Sequence, residues 1–264
     1  MRIVTLVENT ALAPELEAEH GLSLYVETGD RRLLFDMGQS AAFARNAARL
    51  GADLGAVDTA VLSHGHYDHG GGLAEFLRQN AAAPVYLSPY AFEPHLSGPE
   101  RDIGLDPALR DCGRLRFTGG ETDLGDGLTL APCAGAAPAV PVDPAGLYTR
   151  QKGQLLPEDF RHEQYLIAEE GGRRVVFSGC SHRGILNIVR WLRPDVVVGG
   201  FHFKHLDLQK EAHRRLLEDA ARRLLASGAV FYTCHCTGEA AYRFLKDRMG
   251  DRLHALSTGS VLTL

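Results

Sequence analysis

Within six residues the sequence reads His64-Gly65-His66-Tyr67-Asp68-His69. Imidazole nitrogens and a carboxylate are the donors that zinc accepts, and iron and manganese accept them too. A lone histidine is more often structural. Three with an aspartate in this spacing would be wasteful in a core and odd on a surface, so the pattern points to a metal. Gly65 and the run Gly70-Gly71-Gly72 let the backbone turn tightly, so the side chains can converge from a loop.

Six residues cannot close two metal sites, and further donors recur downstream: Cys180-Ser181-His182, then His202 with Lys204 and His205, then Cys234-His235-Cys236. Each cysteine taken alone reads equally well as a small buried hydrophobe. The elements around these groups change the weighting, because one pattern is written twice. Residues 23–38 and 164–180 each read as a β-hairpin with a Gly-containing turn, Arg-Arg and an apolar strand containing Phe. Helical stretches follow at 41–51 and 185–194, short apolar strands at 58–63 and 195–200, second helices at 71–80 and 211–228, and closing strands at 84–88 and 229–234. Met1–Val7 reads as a first strand. The expected fold is α/β: an αββα sandwich of two mixed sheets with helices outside and an internal duplication. Every donor group then follows the C-terminal end of a strand, where sheets of this kind bind ligands.

Residues 89–162 break the repeat. They are rich in Pro, Gly and Asp; part (115–131) can form strands, and 134–146 looks like long loop. The expectation is one domain over 1–264, with 89–162 as a lid or substrate-binding insertion.

Composition narrows the classes. The chain has 264 residues, 28 Lys plus Arg against 33 Asp plus Glu, and a net charge of −5. That balance offers no general attraction to nucleic acid or to an anionic membrane. No stretch approaches the ~20 apolar residues of a membrane span, and the apolar start is too short for a signal-peptide core. Five cysteines, an odd number, fit a reducing, cytoplasmic compartment without a disulfide framework. The partner expected is a small-molecule substrate; oligomeric state is left open.

His64-x-His66-x-Asp68-His69 after an apolar strand, preceded by a strand ending Phe35-Asp36-x-Gly38, resembles the metallo-β-lactamase superfamily. The segments Gly179-Cys180-Ser181-His182-x-Gly184, Gly199-Gly200-Phe201-His202 and Cys234-His235-Cys236-Thr237-Gly238 look like one branch of it, often labelled with an archaeal 7,8-dihydropterin–ribofuranosylaminobenzene 5′-phosphate synthase. The resemblance implies that His64, His66 and a later histidine, for which His182 is the candidate, hold one metal, while Asp68, His69 and His235 hold a second. The superfamily often has a bridging aspartate where Cys180 stands here, so Cys180 is either a thiolate ligand or leaves the bridge to water. Asp36 resembles the superfamily's buried support residue, with the job of accepting hydrogen bonds from the ligand loop.

The chemistry so implied is hydrolysis. Two divalent ions, zinc first with manganese or iron as alternatives, lower the pKa of a shared water to ~7 and steady the charge that develops during attack. Asp68 would orient that water, and His202 would donate a proton or bind an anion. Lys204, Arg101 and Arg150 are the named substrate-binding candidates, with Arg183, Lys152 and His205 nearby; gathered around a metal pair they would draw an anionic, phosphate-bearing substrate. The competing readings are a synthase acting on a pterin or ribofuranosyl phosphate, a di-iron redox protein, and a non-catalytic metal sensor. Redox relatives usually carry a carboxylate where His66 stands, which ranks that reading lower.

Overall fold

The computed structural model describes residues 1–132 and 137–264; of the expected loop 134–146, residues 134–136 lie outside the described residues. The chain begins with β1 (Arg2–Val7), the hairpin β2 (Ser23–Thr28) and β3 (Arg31–Phe35), helix α1 (Ala42–Leu50) and strand β4 (Thr59–Val61). A helical turn α2 (Tyr67–Gly70), helix α3 (Leu73–Gln79) and strand β5 (Val85–Leu87) follow. Seven strands occupy the middle: β6 (His95–Ser97), β7 (Arg101–Asp102), β8 (Leu115–Phe117), β9 (Thr122–Gly125), β10 (Leu128–Pro132), β11 (Leu147–Gln151) and β12 (Gln154–Pro157). The second half has the hairpin β13 (Gln164–Glu170) and β14 (Arg173–Ser178), then α4 (Ile185–Leu192), β15 (Val196–Gly199), α5 (Glu211–Ala226) and β16 (Val230–Thr233). Helix α6 (Glu239–Met249), β17 (Leu253–Ala255) and β18 (Val261–Thr263) end it.

Among the described residues these strands form two seven-stranded sheets, β18-β1-β2-β3-β4-β5-β8 and β17-β16-β15-β14-β13-β10-β9, and a four-stranded sheet β12-β11-β6-β7. The two large sheets share one plan. In each, an antiparallel hairpin (β2–β3, β13–β14) leads into parallel neighbours (β4 and β5, β15 and β16). Even the register repeats: Phe35 sits opposite Leu24, and Phe177 opposite Leu166. The two phenylalanines meet between the sheets with ring centroids 5.7 Å apart.

Alternation along the strands builds the layers. Leu33 and Phe35 of β3 face the other sheet, in a core with Leu130, Leu166 and Val198. Leu34 faces outward against Phe43 and Ala47 of α1 and Phe76 of α3. On the far side Val197 and Phe231 pack under Leu217, Leu224 and Leu245 of α5 and α6. The result is the αββα sandwich expected from the repeat. No helix among the described residues is long and apolar enough to cross a membrane.

Three features depart from the sequence reading. Helix α6 and strands β17 and β18 lie beyond the last element assigned. The stretch 67–70, read as loop, forms a helical turn that carries Asp68 and His69. The segment 89–162 carries more strand than the 115–131 expected: β8, β9 and β10 form there and extend the two large sheets, and β6, β7, β11 and β12 add the small sheet.

Candidate metal centre

Strands β3, β4, β14, β15 and β16 run parallel within their sheets, and every donor group follows one of their C-terminal ends. Asp36, one residue past β3, is fully buried. Its Oδ1 accepts the Ser63 backbone N–H at 2.7 Å; its Oδ2 accepts the Ser63 hydroxyl and the His69 Nδ1–H, each at 2.7 Å. The ligand loop therefore hangs from one carboxylate. Close approach elsewhere demands glycine: a Cβ on Gly65 would lie 2.0 Å from the Ala91 carbonyl oxygen, and one on Gly179 would lie 2.1 Å from Ser63 Oγ.

Accounting for the hydrogens shows what the site wants. His69 gives its Nδ1–H to Asp36, so its neutral ring carries a lone pair on Nε2. His235 gives its Nδ1–H to Asn9 Oδ1 at 2.9 Å, and Asn9 is oriented by its own amide donating to the His235 carbonyl at 3.2 Å. His235 Nε2 is then also a lone pair. These two nitrogens stand 3.2 Å apart, and His235 Nε2 is 3.3 Å from Asp68 Oδ2. With His69 neutral, as a ligand must be, three electron-rich atoms converge with no hydrogen between them. On the other side the Ser63 hydroxyl is spent on Asp36, so His64 Nδ1 must be the donor in its 2.8 Å contact with Ser63 Oγ. That leaves a lone pair on His64 Nε2, 3.3 Å from His182 Nε2. His64, His66 and His182 offer ligand atoms within 4.8 Å of one another. Cys180 belongs to groups containing His64 and His69, His182 and His202, and His235 and Cys236, so it stands between the two sets. Its Sγ is 3.2 Å from His69 Nε2. Imidazole, carboxylate and thiolate donors in this arrangement are of the kind that borderline divalent cations accept.

The protonation equilibria agree. Burial, then the neighbouring imidazoles, hold His64, His66 and His182 well below their ordinary 6.5, so they stay neutral and available as ligands. Burial lowers His235 as well. Burial also works against the charged form of His69, but Asp36 and Asp68 outweigh it and raise it to about 8. The metal-free chain thus answers the negative field with a proton. Asp68 is held well below the carboxylate range by His69, His20 and His235, against the opposing effect of burial. Burial pushes the Cys180 thiol well above its usual 9.0, so a thiolate there needs a cation beside it.

A cavity of about 190 Å³ opens over the centre. Tyr67, Arg101, His202, Lys204 and His205 line it above Asp68 and Cys180. Lys204 Nζ is 3.0 Å from His20 Nε2, which in turn is 3.2 Å from Asp68 Oδ2. The His202 ring is 4.2 Å from that of His182, and both its nitrogens are buried without a hydrogen-bond partner among the described residues. Arg150, expected from the sequence to bind substrate, does not line this cavity. Thr149 beside it on β11 turns inward to the Pro94 carbonyl, so alternation sends Arg150 outward. Lys152 and Arg183 are not in the lining either.

Several contributors had no local signal. Glu163 accepts the backbone N–H groups of His182 and Arg183 at 2.7 and 2.9 Å and holds that ligand turn. Phe160 stacks on the His182 ring at 4.6 Å. Cys236 Sγ accepts the His202 backbone N–H at 3.3 Å, and His95, Glu158 and His162 gather behind His66. The excess of histidines over what the motifs use was the one available hint.

Residues 16–226 match the family model described as the metallo-beta-lactamase superfamily. Among solved structures the chain is similar to Tm1679, described as a metal-dependent hydrolase of the beta-lactamase superfamily. The two are 30% identical over 100% of this chain and 99% of that one, with a TM-score of 0.82. Among sequence relatives, the 7,8-dihydropterin-6-methyl-4-(beta-D-ribofuranosyl)-aminobenzene-5'-phosphate synthase of Methanocaldococcus jannaschii is 26% identical, covering 99% of this chain and 96% of its own. An uncharacterized protein of the same organism is 29% identical, covering 76% of this chain and 78% of its own.

Proposed function

The chain belongs to the metallo-beta-lactamase superfamily, and from that premise we propose that it is a hydrolase of small anionic molecules that works with two divalent ions, zinc by preference. The observation that carries the reading is the convergence of three donor atoms, with His235 Nε2 3.2 Å from His69 Nε2 and 3.3 Å from Asp68 Oδ2. Divalent ions held there would supply Lewis acidity and bring the pKa of water to ~7. His64, His66 and His182 would hold one ion; Asp68, His69 and His235 would hold the other, with Cys180 as a thiolate between them.

The chain's own groups divide the remaining work. Arg101 and Lys204, which line the cavity, would bind the anionic part of the substrate, since both cations pair with phosphate or carboxylate oxygens. Asp68 would orient the attacking water through the oxygen not facing His235. His202 would hand a proton to the leaving group. Asp36 would keep the loop in shape throughout. A phosphate ester is preferred over a carboxylate-bearing lactone.

The synthase reading stands second, favoured by the 26% identity that runs along 99% of this chain. A screen of phosphomonoesters, phosphodiesters and lactones with zinc-loaded and manganese-loaded protein separates the two. Hydrolysis of a phosphate ester, with KM rising as salt screens the cations, supports the first. A preference for neutral esters with KM indifferent to salt contradicts the anionic substrate. Failure of every ester together with condensation of a ribofuranosyl phosphate favours the synthase.

A further inference from the structure

Behind the ligand loop lies a second group of metal-type side chains, of which the proposed paired sites use only His66. His66, His95, Glu158 and His162 are all buried, and each offers a ligand atom within 4.8 Å of the others. His95 opens β6, while Glu158 and His162 follow β12, so the small sheet brings them to the back of the loop. The Nε2 atoms of His66, His95 and His162 are sealed and lack a hydrogen-bond partner among the described residues.

Composition alone suggests another metal ion, but the hydrogens argue against one. His162 accepts the Gly65 N–H on Nδ1 at 2.8 Å. Its neutral ring must then carry its hydrogen on Nε2, which has no lone pair for a cation. His95 donates Nδ1–H to Glu158 Oε2 at 2.9 Å, and this leaves a lone pair on its own Nε2. His66 lines the cavity although its Nε2 is sealed, so Nδ1 is the nitrogen left to face the metals. With the Nδ1 lone pair so used, the His66 hydrogen sits on Nε2. The cluster then holds two N–H donors, on His66 and His162. It also holds two acceptors, His95 Nε2 and the Glu158 carboxylate, whose Oε1 is 4.0 Å from His162 Nε2. Donors and acceptors match in number without a cation, although the three Nε2 atoms stand too far from their partners to hydrogen-bond.

We infer that Glu158, acting through His95 and beside His162, is a positioning system for His66: it keeps the His66 hydrogen on Nε2 so that Nδ1 presents a lone pair to the metal. Glu158 fixes the His95 hydrogen on Nδ1, and the free His95 Nε2 rewards the matching tautomer of His66. His162 meanwhile ties down the Gly65 amide between two ligands. Partners of this kind tune metal affinity without touching the ion. The inference rests on the proposed reading only in taking His66 as a ligand.

The test is imidazole 15N NMR on metal-free protein, paired with zinc affinity measured by chelator competition. In the unsubstituted protein His66 should show its hydrogen on Nε2. Glu158→Ala should mix the His66 tautomers and weaken zinc binding by ~10–100-fold. Glu158→Gln keeps an oxygen for His95 and should restore the tautomer and most of the affinity. Should Glu158→Ala not fold, His95→Gln supplies the same comparison, with mixed tautomers and weaker binding expected. A His66 hydrogen on Nδ1, or an unchanged tautomer and affinity in these variants, overturns the inference. So does a third equivalent of metal that Glu158→Ala removes. The NMR readout needs no substrate, so a failed activity screen beside an Nε2–H His66 would count against the hydrolase reading alone.

Discussion

The two halves of the sandwich build the proposed metal centre in different ways. The first delivers His64, His66, Asp68 and His69 from one short segment after β4, its second half the helical turn α2. The second delivers Cys180 and His182, His202, and His235 from the ends of three successive parallel strands. Each half also spends a buried carboxylate on holding its ligands. Asp36 takes a backbone N–H, a hydroxyl and the ring of a ligand, His69. Glu163 takes two backbone N–H groups and the Tyr165 hydroxyl, and reaches no ligand ring. A loop dense in ligands needs its side-chain orientation fixed, whereas ligands carried singly on strand ends are oriented mainly by the sheet.

If the halves are equivalent in the core and differ only at the centre, Phe35→Ala and Phe177→Ala should destabilise alike. Both rings are fully buried and pack on each other. Each loss is expected to cost about 3–5 kcal/mol, read by urea unfolding of metal-free protein. Costs differing by more than about 2 kcal/mol would break the equivalence.

At the centre the halves should diverge. Asp36→Asn replaces an acceptor of the His69 N–H and is expected to weaken zinc binding by ~10–100-fold. Glu163→Gln keeps an oxygen for the backbone and should change affinity by less than about 10-fold. Chelator competition on both variants measures this, and an equal or reversed order would contradict the contrast. Burial raises the Glu163 carboxyl, which further softens the amide replacement.

The pH dependence sharpens the same picture. Four buried imidazoles, those of His64, His66, His162 and His182, are held well below 6.5. As pH falls through 6.5 the unfolded chain takes up protons that the folded chain refuses, so these groups destabilise the fold progressively. His69, raised to about 8, works the other way: its contribution is full below 6.5 and is lost as pH rises through 8. The four outweigh the one in acid. Metal-free protein should therefore lose about 1 kcal/mol or more between neutral pH and about pH 5. A melting temperature flat across that range would show these imidazoles are not buried together.

The smallest effect lies outside the centre. Glu17 is held at about 2 by hydrogen bonds to Arg45 and Arg49, and it ties the loop after β1 to α1. The pairs are half-exposed, so Glu17→Gln should cost about 1 kcal/mol or less at neutral pH, and the wild-type advantage should fade as acid titrates the carboxylate. A loss well above that would mean the loop is a stronger support for the first half than its exposure suggests.

These contrasts also explain what could be read from the sequence. The hairpins at 23–38 and 164–180 announce themselves because alternation and Gly turns are local properties. His64 to His69 is equally local, and the strand-end placement of Cys180, His182 and His235 follows once the repeat is seen. His95 and His162 carry no such mark. Each stands alone in sequence, and only the pairing of β6 with β11 and the turn after β12 bring them behind His66. Arg150 fails for the same reason, since its face depends on a strand that the Pro- and Gly-rich composition around it conceals. Helix α6 is rich in charge along EAAYRFLKDRM, which blurs the apolar stripe of Ala241, Leu245 and Met249 that packs against the second sheet.

The central claim is that donors from both halves form one paired metal centre, and elemental analysis of untagged protein grown in metal-replete medium tests it most directly. About two equivalents of transition metal per chain are expected, zinc foremost; less than about half an equivalent of any transition metal would contradict the account.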